Sequence, residues 1–253
     1  MLRPRIIPTL LVHKDGLVKT VRFADPTYVG DPINAVRIFN EKEVDELVVA
    51  NIDATVEGQP PDYSLVARLA AECRMPLCYA GGVTDVDEVE RLISLGVEKI
   101  AIGAAAVQQP GLLAEAARRV GNQSIVVVLD VRRTAAGGYE VFTHRGSRAS
   151  GQDPAALARV AESMGAGEIM VNAIDRDGTM TGYDFDLIDQ VRSAVTLPLT
   201  ALGGVGTLQH IQALISRYGV IGAAAGSLFV FKGRHRAVLI NYPSPAQKDR
   251  LCA

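Results

Sequence analysis

The chain has 253 residues, 48% of them hydrophobic, and a formal net charge of −2. That length fits one large α/β domain or two small ones, and the near-neutral balance gives no electrostatic reason to expect nucleic acid or an anionic membrane. Aromatic residues make up only 5% and Trp is absent, so the core must be built from Val, Ile, Leu and Ala. That palette suits β-branched strands wrapped by Ala/Leu helices.

Along the chain, short β-rich runs alternate with longer amphipathic patterns. Strands are predicted at Arg5–Val12, Glu46–Ile52, Leu77–Ala80, Lys99–Gly103, Ser124–Asp130, Glu168–Ala173, Leu199–Leu202 and Val220–Ala224. Helical patterns lie between them, among them Val86–Leu95, Gly111–Val120, Pro154–Met164, Leu187–Val195 and Leu208–Ile215. Continuously apolar strands separated by helices argue for an all-parallel sheet, and eight such units match a closed (β/α)8 barrel. Two long loops break the rhythm, one from His13 to about Pro32 and one after the fifth strand. In the second, Tyr139–Thr143 reads as part of a small hairpin. Both follow strand ends, where such barrels keep their chemistry.

The barrel is expected over residues 1–242, with 243–253 as a frayed tail carrying Pro243 and Pro245. Cys73, Cys78 and Cys252 have neither metal-ligand nor disulfide spacing, so a reducing, cytoplasmic compartment is expected and no metal or organic cofactor is implied. The N-terminus lacks the apolar core of a signal peptide, and no apolar run approaches the roughly 20 residues of a membrane span. Lys232, Arg234, His235 and Arg236 read as the solvated start of a last helix. His144, Arg145 and Arg148 read as a mobile charged loop, and Cys73 and Cys78 as packing residues.

The chain repeats itself at half length. Glu46-Leu-Val-Val-Ala-Asn-Ile-Asp53 matches Glu168-Ile-Met-Val-Asn-Ala-Ile-Asp175, and Gly81-Gly82-Val83 matches Gly203-Gly204-Val205, both 122 residues later. Ile102-Gly-Ala-Ala-Ala106 recurs as Ile221-Gly-Ala-Ala-Ala225 at an offset of 119. Three matches in one order at nearly one offset point to a duplicated half-barrel. Gly-Gly after a strand lets backbone N–H groups approach an anion, and a following helix start adds positive potential. Gly81, Gly82, Gly103 and Ala104 could therefore form one phosphate cradle, and Gly203, Gly204, Gly226 and Ser227 its mirror. Two cradles across one mouth suggest a phosphorylated small molecule with a phosphate at each end.

Over about residues 3–230, the chain resembles the HisF-type cyclase subunit of imidazole glycerol phosphate synthase. The resemblance is carried by Arg5-Ile-Ile-Pro8, Gly30-Asp-Pro32, Asp45-Glu-Leu-Val48, Gly165-Ala-Gly-Glu-Ile169, Ile174-Asp-Arg-Asp-Gly-Thr179 and Gly182-Tyr-Asp184. It implies a barrel that works with a glutaminase, takes ammonia in at the bottom and uses it at the top. In that family two aspartates, ending the first and fifth strands, perform the acid–base work of ring closure. Asp130 matches the second; Leu11 stands where the first should be, and leucine carries no proton. Asp15 falls in the loop motif Lys14-Asp15-Gly16 and should be displaced.

Other departures also lie at the top: Asn51 replaces a usual aspartate, Leu202 a usual serine, and Gly103-Ala104 a polar pair. The resemblance implies a better preserved second phosphate pocket, with Asp177, Gly178, Gly204, Gly226 and Ser227. At the bottom all four charges of the family's ammonia gate are present, as Arg5, Glu46, Lys99 and Glu168.

A rebuilt top over an intact entrance is similar to the cyclase-like proteins of bacterial surface-polysaccharide clusters, which accompany a glutaminase-like protein and an N-acetyl sugar amidotransferase. Gly16-Leu-Val-Lys-Thr20, Tyr28-Val-Gly-Asp-Pro-Ile-Asn34, Arg37-Ile-Phe-Asn-Glu-Lys-Glu-Val44 and the run from Ala225 to Ile240 carry this closer likeness. It implies ammonia delivery for sugar amidation. The alternatives are an ordinary histidine-pathway cyclase with His13 or Asp15 as a relocated acid or base, and a non-catalytic partner that only activates the glutaminase. The sister isomerase of the pathway is disfavoured by the gate charges and by Ile174-Asp-Arg-Asp-Gly-Thr179.

Overall fold

The computed structural model describes residues 3–233 and 235–252. Eight parallel strands form the centre: β1 (Arg5–His13), β2 (Leu47–Asn51), β3 (Leu77–Ala80), β4 (Lys99–Ile102), β5 (Ile125–Arg133), β6 (Glu168–Ala173), β7 (Leu199–Leu202) and β8 (Gly222–Ala225). Each pairs with the next, and β8 returns to β1 in the register Arg5↔Gly222 to Pro8↔Ala225, which closes the barrel. The expected (β/α)8 architecture is borne out.

Strand alternation divides the interior in two. On β1, Ile6, Leu10 and Val12 face outward into the core shared with the helices, while Ile7 faces the barrel axis. The axial layer is small and separate: Ile7, Val48, Cys78, Ala101, Val126, Met170 and Ala224. The outer layer consists of α1 (Pro32–Glu41), α2 (Tyr63–Glu72), α3 (Val86–Ser94), α4 (Gly111–Val120), α5 (Pro154–Ser163), α6 (Phe185–Arg192), α7 (Leu208–Tyr218) and α8 (Pro245–Cys252). Asp31, Asp62, Asp85, Asp153 and Asp184 start α1, α2, α3, α5 and α6 by accepting a first-turn backbone N–H. Such caps satisfy donors that a helix leaves unpaired and fix where each one leaves its loop. Among the described residues, no helix is long and apolar enough to cross a membrane.

The structure departs from the sequence expectations in three places. The segment from His13 to Pro32 is no open loop: Gly16–Val21 folds back antiparallel on β1 and pairs with Ala24–Gly30. Its residues Leu17, Val18, Lys19 and Thr20 are buried, so this ribbon is part of the barrel mouth. β5 runs on to Arg133 because its last residues pair antiparallel with Tyr139–Thr143, the expected hairpin.

The third departure is at the C-terminal end. Phe231–Lys232 pairs antiparallel with Ala237–Val238 where a helix start was expected. Arg236 caps that turn from above the Phe231 ring at 4.6 Å, and Arg234 lies outside the described residues. The segment expected to fray contains α8 instead. Lys248 Nζ meets Asp45 Oδ1 at 2.7 Å, Tyr242 OH donates to Ile6 O at 2.7 Å, and Leu251 is buried. Pro245 opens the helix, a position where proline is tolerated.

Gly222 shows how tightly the axis is filled: a Cβ there would lie 1.9 Å from Thr200 Oγ1. Gly222→Ala is therefore expected to lose about 1–3 kcal/mol of stability by overpacking, read as a lower urea midpoint with an unchanged slope.

Candidate functional site

At the amino-terminal end of the barrel, four charged side chains open β1, β4 and β6 and precede β2, and they meet on the axis. Arg5 Nη1 pairs with Glu46, and Arg5 Nη2 contacts Glu168 Oε1 at 2.6 Å. Lys99 Nζ sits 2.9 Å from Glu46 Oε2 and 2.9 Å from Glu168 Oε2. The result is a closed ring of alternating charge, and Thr200 Oγ1 adds a hydrogen bond to Glu168 Oε1 at 2.5 Å. The Glu46 and Glu168 side chains are 4% and 6% exposed, so each depends on the cations. Burial alone would lower Arg5 and Lys99, but the two carboxylates outweigh it and hold both cations above their ordinary values. Burial would raise Glu168, yet Arg5, Lys99 and Thr200 bring it below the ordinary range.

Above the ring lies the apolar axial layer. Its Cys78 thiol is pushed far up by burial and then by Glu46 and Glu168, so it stays protonated. Above that layer, at the carboxyl ends of the strands, a cavity of about 170 Å³ opens. It reaches from Val48, Ala101 and Met170 up to Phe23, Phe142 and Arg145. The turn at Phe23 meets the turn that follows Thr143 over it: a Cβ on Gly146 would lie 3.4 Å from the Phe23 ring.

Asp130 and Leu11 both line this cavity. Asp130 Oδ1 accepts a hydrogen bond from Asn172 Nδ2 at 2.8 Å. Burial pushes Asp130 up to about 6; Asn172 opposes this and the like charge of Asp177 adds to it. Lys19, on the first hairpin, is buried with its Nζ donating to Thr9 O. Desolvation brings it down to about 8 against the pull of Asp177. One end of the axis is thus a neutralised charge ring, and the other a cavity with one poised carboxyl group.

The family model described as histidine biosynthesis protein matches residues 5–236. The chain belongs to this family. It is 52% identical over 252 residues to a Leptospira interrogans protein named "Putative imidazole glycerol phosphate synthase subunit HisF", covering 99% of each chain. A Vibrio vulnificus relative, with the same name but as hisF3, is 49% identical over 99% of this chain and 96% of its own. A Pseudomonas aeruginosa relative, named as hisF2, is 48% identical over 98% and 99%. The resemblance to the HisF-type subunit is borne out.

Within this HisF-type barrel the glycine-rich segments fall on unequal ground. Gly81 and Gly103 line the cavity, and Gly82 lines an adjoining groove with Thr84, Gln108 and His144. Gly81 has φ +116°, and a Cβ there would lie 2.3 Å from Asn51 O, so the close approach of β2 already requires glycine. None of Asp177, Gly178, Gly204, Gly226 and Ser227 lines this cavity. Asp177 accepts hydrogen bonds from Thr20 Oγ1 at 2.7 Å and Phe23 N at 3.2 Å. A Cβ on Gly178 would lie 2.1 Å from Thr20 O, and one on Gly226 would lie 2.6 Å from Lys19 Nζ. Gly204 packs on Gly182 O, and Ser227 is buried at the start of a four-residue helix. Asp177, Gly178 and Gly226 thus serve in this structure as the seat of the first hairpin.

His13 Nδ1 lies 2.7 Å from Asp53 Oδ1, which Arg145 Nη1 also approaches at 3.5 Å. Asp15 sits exposed in the hairpin turn at φ +64°. His144 lines the cavity, and burial and then Arg148 hold it below its ordinary value. Sequence reasoning missed Lys19, Asn172 and Asp53. Asn172 did leave a trace: its counterpart in the half-length repeat is Ala50, so the repeat breaks where a polar side chain enters the cavity.

Two stability predictions follow from these electrostatics. Glu168→Ala leaves two half-buried cations short of a partner and should lose up to about 3 kcal/mol in denaturant titrations, the low end of the cost of breaking a buried pair. Asp130 has a folded-state pKa above 3.8, so its ionised form is the disfavoured one; the penalty is absent below about 3.8 and complete above about 6. Asp130→Asn should therefore stabilise the fold by about 1–3 kcal/mol near pH 8 and by much less near pH 4, as read by urea unfolding at both values.

Proposed function

We propose that this chain is the barrel subunit of a glutamine-dependent amidotransferase. A HisH-like glutaminase docks on the lower face around Arg5, Glu46, Lys99 and Glu168 and releases ammonia into the barrel. Ammonia crosses the axial layer, which is apolar apart from the Cys78 thiol, and emerges beside Asp130. The destination is the amidation of an N-acetyl sugar for surface-polysaccharide synthesis, completed by a separate sugar amidotransferase. Gly81, Gly82 and Gly103 offer backbone groups to a phosphorylated small molecule at the mouth.

The observation that carries this reading is the contrast between the two ends of the axis. The charge ring is complete and paired at every member, while the cavity is lined by Leu11 and by a single carboxylate, Asp130, whose partner is an amide. Ring closure needs two proton-transfer groups, and a leucine supplies none. Two of the relatives bear the numbers hisF2 and hisF3, which suits additional copies beside a histidine-pathway subunit. The sugar destination rests on the sequence likeness to the polysaccharide-cluster proteins.

One observation favours a second reading. His13 follows Leu11 on the same face of β1, and Asp53 orients its ring, as a relocated base in an ordinary cyclase would require. The deciding measurement is the cyclase assay with the open-chain phosphoribulosyl substrate and excess ammonium salt at alkaline pH, which bypasses the glutaminase. The expected result is no turnover by the folded chain. Turnover that disappears in His13→Ala would replace the amidotransferase reading with the cyclase one. A reconstitution with the glutaminase and sugar amidotransferase should then yield amidated sugar from glutamine. Lys99→Ala in this chain should uncouple glutamine hydrolysis from that product.

A further inference from the structure

Thr9 on β1, Asp130 on β5 and Asn172 on β6 line the same cavity. Asn172 is 8% exposed and Thr9 is 3% exposed. Even so, Asn172 Oδ1 and Thr9 Oγ1 have no hydrogen-bond partner among the described residues. The Asn172 carboxamide cannot turn around to relieve this. An ionised carboxylate only accepts hydrogen bonds, so Asp130 holds the NH2 end and leaves the carbonyl end bare. A buried acceptor without a donor is costly, and it persists where a ligand or water meets it.

The chemistry of these groups narrows the ligand. A carboxylate that shares a largely apolar cavity with two neutral, unpaired oxygens favours a small cation. The acceptors are a carboxamide, a hydroxyl and one carboxylate, too weak a set to strip the water from a hard divalent ion. They do suit a cation whose charge is carried on N–H bonds. Across the axis, β1 already holds one such group, since Lys19 donates its ammonium to the carbonyl of Thr9.

We propose that Asn172 Oδ1, Asp130 and Thr9 Oγ1 form an ammonium-binding site at the upper end of the barrel axis. Asn172 is its positioning residue: it fixes the Asp130 carboxylate with one end of its side chain and presents an acceptor with the other. The inference deepens the ammonia-delivery reading and rests on it for the natural source of the ligand. Binding itself requires neither the glutaminase nor an intact charge ring.

The test is a carboxyl-carbon NMR titration of Asp130, assigned with Asp130→Asn, in ammonium, potassium and sodium chloride at equal ionic strength. A cation that binds the ionised form lowers the titration midpoint, approaching about one unit when it is present at roughly ten times its dissociation constant. His144 and Arg145 line the cavity, Asp177 and Lys19 lie outside its lining, and all four are common to the three salts. Ammonium should lower the midpoint while potassium and sodium do not. Asn172→Leu and the shape-conserving Thr9→Val should both lose or weaken that difference, and Thr9→Val serves if Asn172→Leu fails to fold. An equal effect of potassium, no difference between salts (an ordered water only), or a drop that survives both variants would overturn the site. Glutamine-coupled transfer without an ammonium-specific drop would defeat this inference alone. An ammonium-specific drop without transfer would defeat the delivery reading alone.

Discussion

Four charges can remain inside the narrow end of an eight-stranded barrel only if they neutralise one another. Moving a single carboxylate from water to such a place costs several kcal/mol even after relaxation, and only close, well-directed cations offset it. Arg5, Glu46, Lys99 and Glu168 meet that requirement by alternating around the axis, each carboxylate touching both cations. The four come from separate strands, so the ring exists only when the barrel has closed in register. In turn it leaves the axis above it free to be apolar, because the charge is confined to one layer.

That confinement gives the axis its polarity. Below the axial layer the electrostatics are balanced; above it they are not. Asp130 faces an amide, and Lys19, on the first hairpin, donates to the Thr9 carbonyl with Asp177 as its charged neighbour. Both groups are moved by desolvation toward neutrality, Asp130 to about 6 and Lys19 to about 8. A site with such groups can exchange protons near neutral pH, whereas the paired ring cannot. The balanced and the unbalanced charges are thereby kept at opposite ends of one barrel axis.

The half-length repeat shows how the duties diverged. The glycine pair after β3 lies beside the open cavity, while part of the corresponding corner after β6 and β8 seats the first hairpin through Asp177, Gly178 and Gly226. The two cradles expected from symmetry are therefore unequal in this structure. Lys19 against Gly226 holds space that the mirrored corner leaves to Gly103 and the cavity.

The sequence by itself determined the barrel, the half-length repeat, the residue types of the four ring charges and the leucine at position 11. These are legible because they rest on local periodicity and on residue type at spaced positions, which a linear chain displays directly. The tertiary structure alone decided which polar groups meet. The ribbon after β1 looks like a loop because its burial comes from folding back on a strand and from Asp177, 157 residues away from Thr20. The pairing of Asn172 with Asp130 joins neighbouring strands 42 residues apart, and the docking of α8 on Asp45 spans 203 residues. Hydrogen bonds of this reach depend on strand register and barrel closure, and no short pattern in the chain encodes either of them.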